Sequence, residues 1–217
     1  MLRHALAPIV PQAAASLALP RTLPDAAGGV ALTFDDGPHP EGTPAVLKIL
    51  ARAHARATFF LVGEQVQRRP ELAREIVAQG HLVALHGQRH RLQLRLGAAD
   101  VAADLRAGAE AIAEATGAMP RWHRPPYGIY SAAGLRAARA QGMSPLLWSR
   151  WGKDWRKFTT PGRIAHRAAR DLHPGDVILL HDADFYSSDR SYERTVAALP
   201  SVIASLDAAE LATVLPV

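Results

Sequence analysis

The sequence contains no cysteine among its 217 residues. This absence excludes a disulfide scaffold, a cysteine-ligated zinc site and a thiol nucleophile. Any metal would have to be held by histidine, aspartate or glutamate, and ten histidines are available. The sequence also lacks a run of 18 apolar residues, so no transmembrane span is expected.

Basic residues are in excess but are not clustered. The net charge is +5, yet no run of five or more basic residues occurs, and most arginines are scattered through alanine-rich stretches. Such arginines are typical of solvated helix faces, so we expect no nucleic-acid partner. The hydrophobic fraction of 48% and the charged fraction of 21% are those of an ordinary globular chain. No oligomeric state follows from these numbers.

The first 28 residues differ in character from the rest. They begin with basic residues and are rich in alanine, which resembles a weak signal peptide, but Pro8, Pro11 and Pro20 interrupt the apolar stretch. We therefore expect residues 1–28 to form an irregular N-terminal arm, with a signal-like segment as the alternative. Localisation stays open between cytoplasmic and exported or cell-wall associated. Residues 29–217 are expected to form a single domain.

From residue 29 onward, short β-rich runs alternate with longer helical runs. Helices are predicted near residues 43–54, 70–79, 98–116, 131–141, 160–172 and 193–205. The strand runs are continuously apolar, which favours a parallel sheet covered by helices. Such repeats can build a closed barrel or an open doubly wound sheet, and no dinucleotide fingerprint or P-loop is present. Strands are predicted at residues 30–34, 57–62, 81–86, 121–125, 145–148, 176–181 and 212–217.

Titratable residues stand at or just after the ends of five of these strand runs. In a parallel barrel the carboxyl ends of the strands form one face, where catalytic loops converge. We therefore expect these side chains to meet at one site. They are Asp35 with Asp36, His86, Arg124, Asp154 and His181.

Two histidines and one of two adjacent aspartates at this site suit a metal ion. Asp35 and Asp36 are adjacent carboxylates that repel each other unless a cation or a proton intervenes, so one could bind metal while the other stays free. His86 and His90 have the i, i+4 spacing that places two imidazoles on one side of a helical turn. Taken alone, Asp-Asp-Gly-Pro also suits a solvated turn, and the histidine spacing also arises by chance. Together, two histidines and one carboxylate suit catalytic Zn²⁺ or Fe²⁺.

The remaining polar residues suit acid–base chemistry. Arg124 lies in a proline-stiffened segment and could orient a carboxylate base, or it could be a solvated loop arginine. Asp154 could orient His181 and raise its pKa so that it acts as a general acid, although a buried structural histidine is the commoner case. Trp155 and Leu179 would line a small apolar pocket beside this pair.

The order of the motifs TFDDGP, HxxxH, RPPYG, DW and LLHD resembles the polysaccharide deacetylases with a NodB-homology domain, carbohydrate esterase family 4. The resemblance runs from about residue 30 to the end. It implies a distorted (β/α) barrel with seven or eight mostly parallel strands. It also implies Asp35 as the general base, with Asp36, His86 and His90 as metal ligands.

Further roles follow from the same resemblance. It implies that Arg124 contacts the base, that the backbone N–H of Tyr127 binds the oxyanion, and that Asp154 tunes His181, the general acid. The implied activity is metal-dependent removal of N-acetyl groups from an amino-sugar polymer or oligosaccharide, peptidoglycan or chitin-like. The implied cofactor is a divalent metal, foremost Zn²⁺, with Co²⁺ or Ni²⁺ as alternatives.

Two positions depart from the family's usual pattern. Gly87 stands where serine or threonine usually follows the first histidine, which puts the rigidity of the metal-binding loop in doubt. Trp151 stands where an acidic residue usually precedes Asp154, and either a sugar-stacking or a packing role is open to it. Further candidates for substrate contact are Arg89, Arg91, Arg95, Asp184 and Tyr186.

Three other functions stay open at this point. The first is a deformylase or deacetylase of a lipid-linked or small amino sugar. The second is a non-catalytic carbohydrate-binding relative, in which the loop is loosened at Gly87. The third is a non-haem iron oxygenase with the same ligand set, although two adjacent aspartates suit hydrolysis better.

Overall fold

The computed structural model describes residues 19–24 and 28–217. Within these ranges eight strands form one sheet, and every pairing between the strands is parallel. The strands are β1 (Gly29–Asp35), β2 (Thr58–Leu61), β3 (Leu82–Leu85), β4 (Trp122–His123), β5 (Ser144–Pro145), β6 (Arg150–Trp151), β7 (Val177–His181) and β8 (Ala212–Thr213).

The sheet is curled, with the strand order β5-β4-β3-β2-β1-β7-β6, and β8 pairs with the first residues of β1. The central strand β1 is fully buried and pairs with β2 on one side and β7 on the other. In this register Asp35 lies beside His181. The predicted distorted (β/α) barrel with seven or eight mostly parallel strands is confirmed.

Seven α-helices cover the sheet in the described part of the chain. The longest of them, α4, ends where Gly117 adopts a left-handed conformation (φ 79°), as the glycine after a helical run predicts. None of these helices has both the length and the apolar character needed to cross a membrane. They are α1 (Gly42–Arg52), α2 (Gly63–Arg68), α3 (Pro70–Ala78), α4 (Ala98–Thr116), α5 (Ala132–Ala140), α6 (Pro161–Ala169) and α7 (Ser191–Ala208).

Residues 19–24 lie against the segment that connects β5 to β6 and against the start of β7. The backbone N–H of Leu147 donates to the carbonyl of Pro20, and that of Leu23 donates to the carbonyl of Gly175. Leu19 and Leu23 are buried in the core. The expected N-terminal arm of residues 1–28 falls mostly outside the described residues, so its extent stays a prediction.

The structure differs from the predicted elements in several places. The run at residues 145–148 is not one strand: only Ser144–Pro145 pairs with β4, and β6 is a separate strand that pairs with β7. The short helix α2 was also not predicted, and the strand predicted at residues 212–217 comprises only Ala212–Thr213. The segment from His86 to His90 is an irregular loop and not the predicted helical turn. The carbonyls of Leu146 and Leu147 explain the first difference, because they accept hydrogen bonds from the side chain of Arg124 instead of continuing a strand ladder.

Candidate active site

A small pocket of about 80 Å³ lies at the carboxyl end of the sheet. Eight of the predicted site residues line it, and the other two, Arg124 and Asp154, lie buried behind it. The structure therefore brings all ten predicted side chains together. The lining residues are Asp35, Asp36, His86, His90, Tyr127, Gly128, Trp148, Trp151, Trp155, Leu179, His181, Tyr186 and Ser187.

The Asp36 carboxylate faces two imidazoles. Its Oδ1 lies 3.5 Å from Nε2 of His86 and 3.3 Å from Nε2 of His90. Oδ1 is buried and has no hydrogen-bond partner in the described part of the chain. Burial, together with nearby carboxylates that include Asp35, raises the pKa of Asp36 to about 7. A buried carboxylate oxygen without a partner, next to two imidazole nitrogens, fits a divalent cation.

His86 presents a lone pair to this cluster. Its Nδ1 lies 2.8 Å from the backbone carbonyl of Arg124, which fixes that nitrogen as the N–H donor and leaves Nε2 unprotonated. Burial and the positive charge of Arg124 lower the pKa of His86 to about 3, so the ring is neutral. A neutral imidazole binds a metal through its unprotonated nitrogen, here Nε2, while the N–H of the other nitrogen is held by a hydrogen bond.

His90 is held by two aromatic rings. The ring of Tyr186 stacks on it at 4.3 Å between centroids, and the ring of Tyr127 packs edge-on at 4.7 Å. The hydroxyl of Tyr186 donates to Glu64 and accepts from Gln65, so the stacked ring is itself fixed. Burial lowers the pKa of His90 well below its usual value.

Asp35 is tied to a fully buried arginine. Nη1 of Arg124 donates to Oδ1 of Asp35 at 2.6 Å and also to the hydroxyl of Thr33. The second oxygen, Oδ2, lies 3.8 Å from Nε2 of His86, on the side of the metal cluster. Burial raises the pKa of Asp35, and the charge of Arg124 opposes that rise. One oxygen is therefore oriented by Arg124 and the other faces the pocket.

Asp154 and His181 form a second buried pair. Nδ1 of His181 lies 2.8 Å from Oδ1 of Asp154, and the backbone N–H of His181 donates to Oδ2 at 2.7 Å. The hydroxyl of Thr195 also donates to Oδ2. Burial alone would lower the pKa of His181, but the charge and hydrogen bond of Asp154 outweigh it and raise the pKa to about 10. His181 is therefore protonated at neutral pH.

Tyr127 and Trp151 shape the mouth of the pocket. Tyr127 has a left-handed backbone (φ 63°) and lies between Pro126 and Gly128 in a single 3₁₀ turn. Trp151 is half-buried and packs between Trp148 and Trp155, with ring centroids 5.5 and 5.8 Å away. Trp151 also lines the pocket, so it packs against its two tryptophan neighbours and can contact a ligand as well.

The further candidates for substrate contact divide into two groups. Tyr186 and Trp151 line the pocket, whereas Arg89, Arg91, Arg95 and Asp184 are absent from its wall. Arg91 instead pairs with Asp104 at 2.6 Å. Asp104 was not predicted from the sequence, because it is one of several acids on the polar face of a helix.

Comparisons with known proteins show the family to which the chain belongs. The family model described as polysaccharide deacetylase matches residues 23–146. The chain is similar to a chitooligosaccharide deacetylase from Sinorhizobium fredii, with 39% identity over 86% of this chain and 90% of that protein. It is also similar to a peptidoglycan-N-acetylglucosamine deacetylase from Bacillus cereus, with 35% identity over 82% of this chain and 81% of that protein.

A solved structure is similar over most of the chain. It is a family 4 carbohydrate esterase from Streptomyces lividans in complex with acetate, with a TM-score of 0.78, 32% identity, and coverage of 87% of this chain and 92% of that chain. The fold and the site thus define a carbohydrate deacetylase. The chain belongs to the polysaccharide deacetylase family. The family and the enzyme class predicted from the sequence motifs are confirmed.

Proposed function

We propose that this deacetylase removes N-acetyl groups from an amino-sugar polymer or oligosaccharide, either peptidoglycan or chitin-like, with a divalent metal at Asp36, His86 and His90. The observation that carries the proposal is the buried, unpartnered Oδ1 of Asp36, which faces both imidazole Nε2 atoms, with Asp35 beside it. The names of the two curated relatives, which act on chitooligosaccharide and on peptidoglycan, support this substrate class.

The ligand set favours Zn²⁺ as the native metal. The three ligand atoms lie within 4.8 Å of one another, and two neutral imidazoles with one carboxylate leave positions open for water and substrate. Co²⁺ and Ni²⁺ accept similar ligands and are the alternatives. When bound, the metal would act as a Lewis acid toward the acyl carbonyl and the attacking water.

Two side chains of the protein, Asp35 and His181, carry out the proton transfers. Asp35 takes a proton from the attacking water through Oδ2, while Arg124 holds Oδ1 in place. The backbone N–H of Tyr127 donates to the oxygen of the tetrahedral intermediate. His181, protonated and oriented by Asp154, donates its Nε2 proton to the leaving nitrogen as the carbon–nitrogen bond breaks. The products are acetate and a free amino sugar.

The size of the pocket supports a small acyl group. At about 80 Å³ it is well below the roughly 300–1,000 Å³ of pockets that enclose whole ligands. Leu179 and Trp155 give it an apolar wall against which an acetyl methyl group can pack. The sugar ring would remain at the mouth. A formyl group is smaller still, so acetylated and formylated amino sugars should be compared directly.

The other functions are less well supported. A carbohydrate-binding protein without turnover has no need of the buried Asp35–Arg124 and Asp154–His181 pairs, and both are intact. Family membership favours hydrolysis over oxygenase chemistry.

The test is acetate release from chitin oligosaccharides and from peptidoglycan by the wild type and Asp35→Asn. We expect a loss of about a hundredfold or more in kcat, because a positioned general base contributes that much. Asp207→Asn, at an exposed position on α7, is the matched control and should retain activity. Metal analysis of the same samples should give equal occupancy. Equal activity of wild type and Asp35→Asn would refute the assignment.

A further inference from the structure

We propose that a second, cationic cleft beside the active-site pocket binds an acidic group on the glycan, one or more sugars away from the acetyl group that is hydrolysed. This inference rests on the proposed function. The cleft has a volume of about 590 Å³. It is lined by Trp155, Arg156, Lys157, Phe158, Thr159, Arg163, Arg167, Ser187 and Ser188.

The cleft continues from the active-site pocket. Trp155 and Ser187 line both spaces, so a bound chain can occupy both at once. The active-site pocket has room for an acyl group, whereas the cleft falls within the size range of sites that enclose a small ligand. An oligosaccharide that places one acetyl group in the pocket can therefore place a neighbouring residue in the cleft.

All of the charged residues that line the cleft are basic. Its wall includes Arg156, Lys157, Arg163 and Arg167 and no acidic residue. Among the ion pairs of residues 19–24 and 28–217, none involves these four side chains. Burial and the positive charges of Arg156 and Arg167 lower the pKa of nearby Lys153. Such a concave basic wall attracts anions.

A further arginine lies behind the wall. Arg194 donates from Nη2 to the hydroxyl of Ser188 at 2.6 Å and to the carbonyl of Arg156 at 3.3 Å. Its Nε is buried without a hydrogen-bond partner in the described ranges. Among the residues that the structure describes, Arg194 thus adds a half-buried positive charge whose hydrogen-bond acceptors are neutral. An anion in the cleft would offset the free-energy cost of burying this charge.

Aromatic surface accompanies the charge. The guanidinium of Arg156 lies 5.2 Å from the ring of Trp155, and the ammonium of Lys157 lies 5.6 Å from the ring of Phe158. Phe158 is 85% exposed, an unusual position for a large apolar ring. Flat apolar faces next to cations suit a sugar that carries an acidic substituent. A neutral oligosaccharide would leave the cations unpaired, so the cleft favours carboxylated or phosphorylated glycans.

The test compares three matched oligosaccharides of equal length: a neutral chitooligosaccharide, one with free carboxylates on alternate sugars, and one with phosphate. For each we would measure kcat/KM at about 20 mM and about 300 mM salt, because exposed ion pairs are screened over this range. We expect the wild type to prefer an acidic glycan, mainly through KM, and the preference to shrink at high salt. The carboxylate and phosphate arms identify the acidic group.

The decisive variant is Arg163→Gln/Arg167→Gln on α6. It should reduce the preference for the acidic over the neutral glycan by about fivefold, as expected for two exposed ion pairs. The matched control is Arg136→Gln/Arg139→Gln, which removes the same charge from exposed positions on α5 and should keep the preference. An unchanged preference in the cleft variant, or an equal fall in both pairs, would overturn the inference.

Binding measurements separate this inference from the proposed function. Calorimetry with the acidic and neutral oligosaccharides needs no turnover, so it reports on the cleft even if no acetate is released. Tighter binding of the acidic glycan that is lost in the cleft variant supports the cleft. Equal binding of both glycans by the wild type refutes it, whatever the outcome of the acetate assay.

Discussion

The backbone N–H of Gln88 donates to Oδ2 of Asp104 at 2.9 Å, and this bond braces the loop that carries His90. Asp104 belongs to α4 and also accepts from Arg91 on the same loop. The neighbouring carbonyls of Gly87 and Gln88 accept from the backbone N–H groups of Gly63 and Glu64. A carboxylate and two backbone bonds therefore support the loop at the point where Gly87 lacks the hydroxyl that is usual in the family.

Asp104→Ala should weaken metal binding without removing a ligand. The loop would lose an acceptor for Gln88 and the partner of Arg91, and changes in groups that support metal ligands typically cost about tenfold or more in affinity. We therefore expect about a tenfold higher Kd for Zn²⁺, measured by competition with a chelating dye. Asp207→Ala removes an exposed carboxylate on α7 and serves as the control. An unchanged Kd would show that the backbone bonds alone hold the loop.

Gly87→Ser would restore the residue that is usual in the family, and we expect it to destabilise this protein. Gly87 has a φ of +86°, and a Cβ there would lie 3.1 Å from Oδ2 of Asp104 and 3.2 Å from the carbonyl of Arg89. Left-handed backbone at a non-glycine residue costs about 1–3 kcal/mol. Urea denaturation should show a loss of this size. Gly162→Ser, where a Cβ meets open space, should lose less, and a stabilised Gly87→Ser would contradict the prediction.

Sequence patterns located the main elements because each depends on local information. The buried strands β1, β2 and β7 are continuous apolar runs, and α4 is a long helix that ends at a glycine. Polar residues at the ends of such strands must share one edge of a parallel sheet, so the meeting of the six titratable strand-end residues could also be predicted. The remaining site residues and most of the roles depended on the family resemblance of the motifs.

Features that depend on distant contacts could not be predicted in the same way. The strand β6 is only two residues long, Arg150–Trp151, and it forms because it pairs with β7. Tyr186 stacks on His90 from 96 positions away in the sequence, and Asp104 braces Gln88 from a different element. No local periodicity marks these partners. These contacts can be recognised only after the fold has brought the distant segments together.

Asp154→Asn should shift the pH dependence of activity. His181 must be protonated to act as the acid, so activity falls as pH rises through its pKa, which the charge of Asp154 helps to raise to about 10. Removing that charge lowers the pKa, so the alkaline limb of the kcat profile should move to lower pH. The acidic limb, which reports the base, should move less. A purely structural role for Asp154 would reduce kcat equally at every pH and leave the limb in place.

Asp176 anchors the opposite end of the barrel and should make stability depend on pH. Its carboxylate accepts from the hydroxyl of Ser149 at 2.6 Å, from Nε of Arg150 at 2.8 Å and from the backbone N–H of His173 at 3.0 Å. Burial alone would raise the pKa of Asp176, but these hydrogen bonds and the charge of Arg150 outweigh burial and lower it. The charged form is therefore favoured in the folded state.

The sign of the effect follows from this lowered pKa. An unfolded aspartate titrates at about pH 3.9, so Asp176 contributes its full stabilisation above that pH and loses it as the pH falls through the lower pKa of the folded state. Asp176→Asn should cost about 2 kcal/mol at pH 7, the scale of hydrogen bonds to a charged group. The difference from wild type should shrink below about pH 4, as urea denaturation between pH 3 and pH 7 would show. Asp207→Asn, on an exposed surface, should show no such convergence, and a pH-independent deficit in Asp176→Asn would mean that packing rather than charge stabilises this end of the barrel.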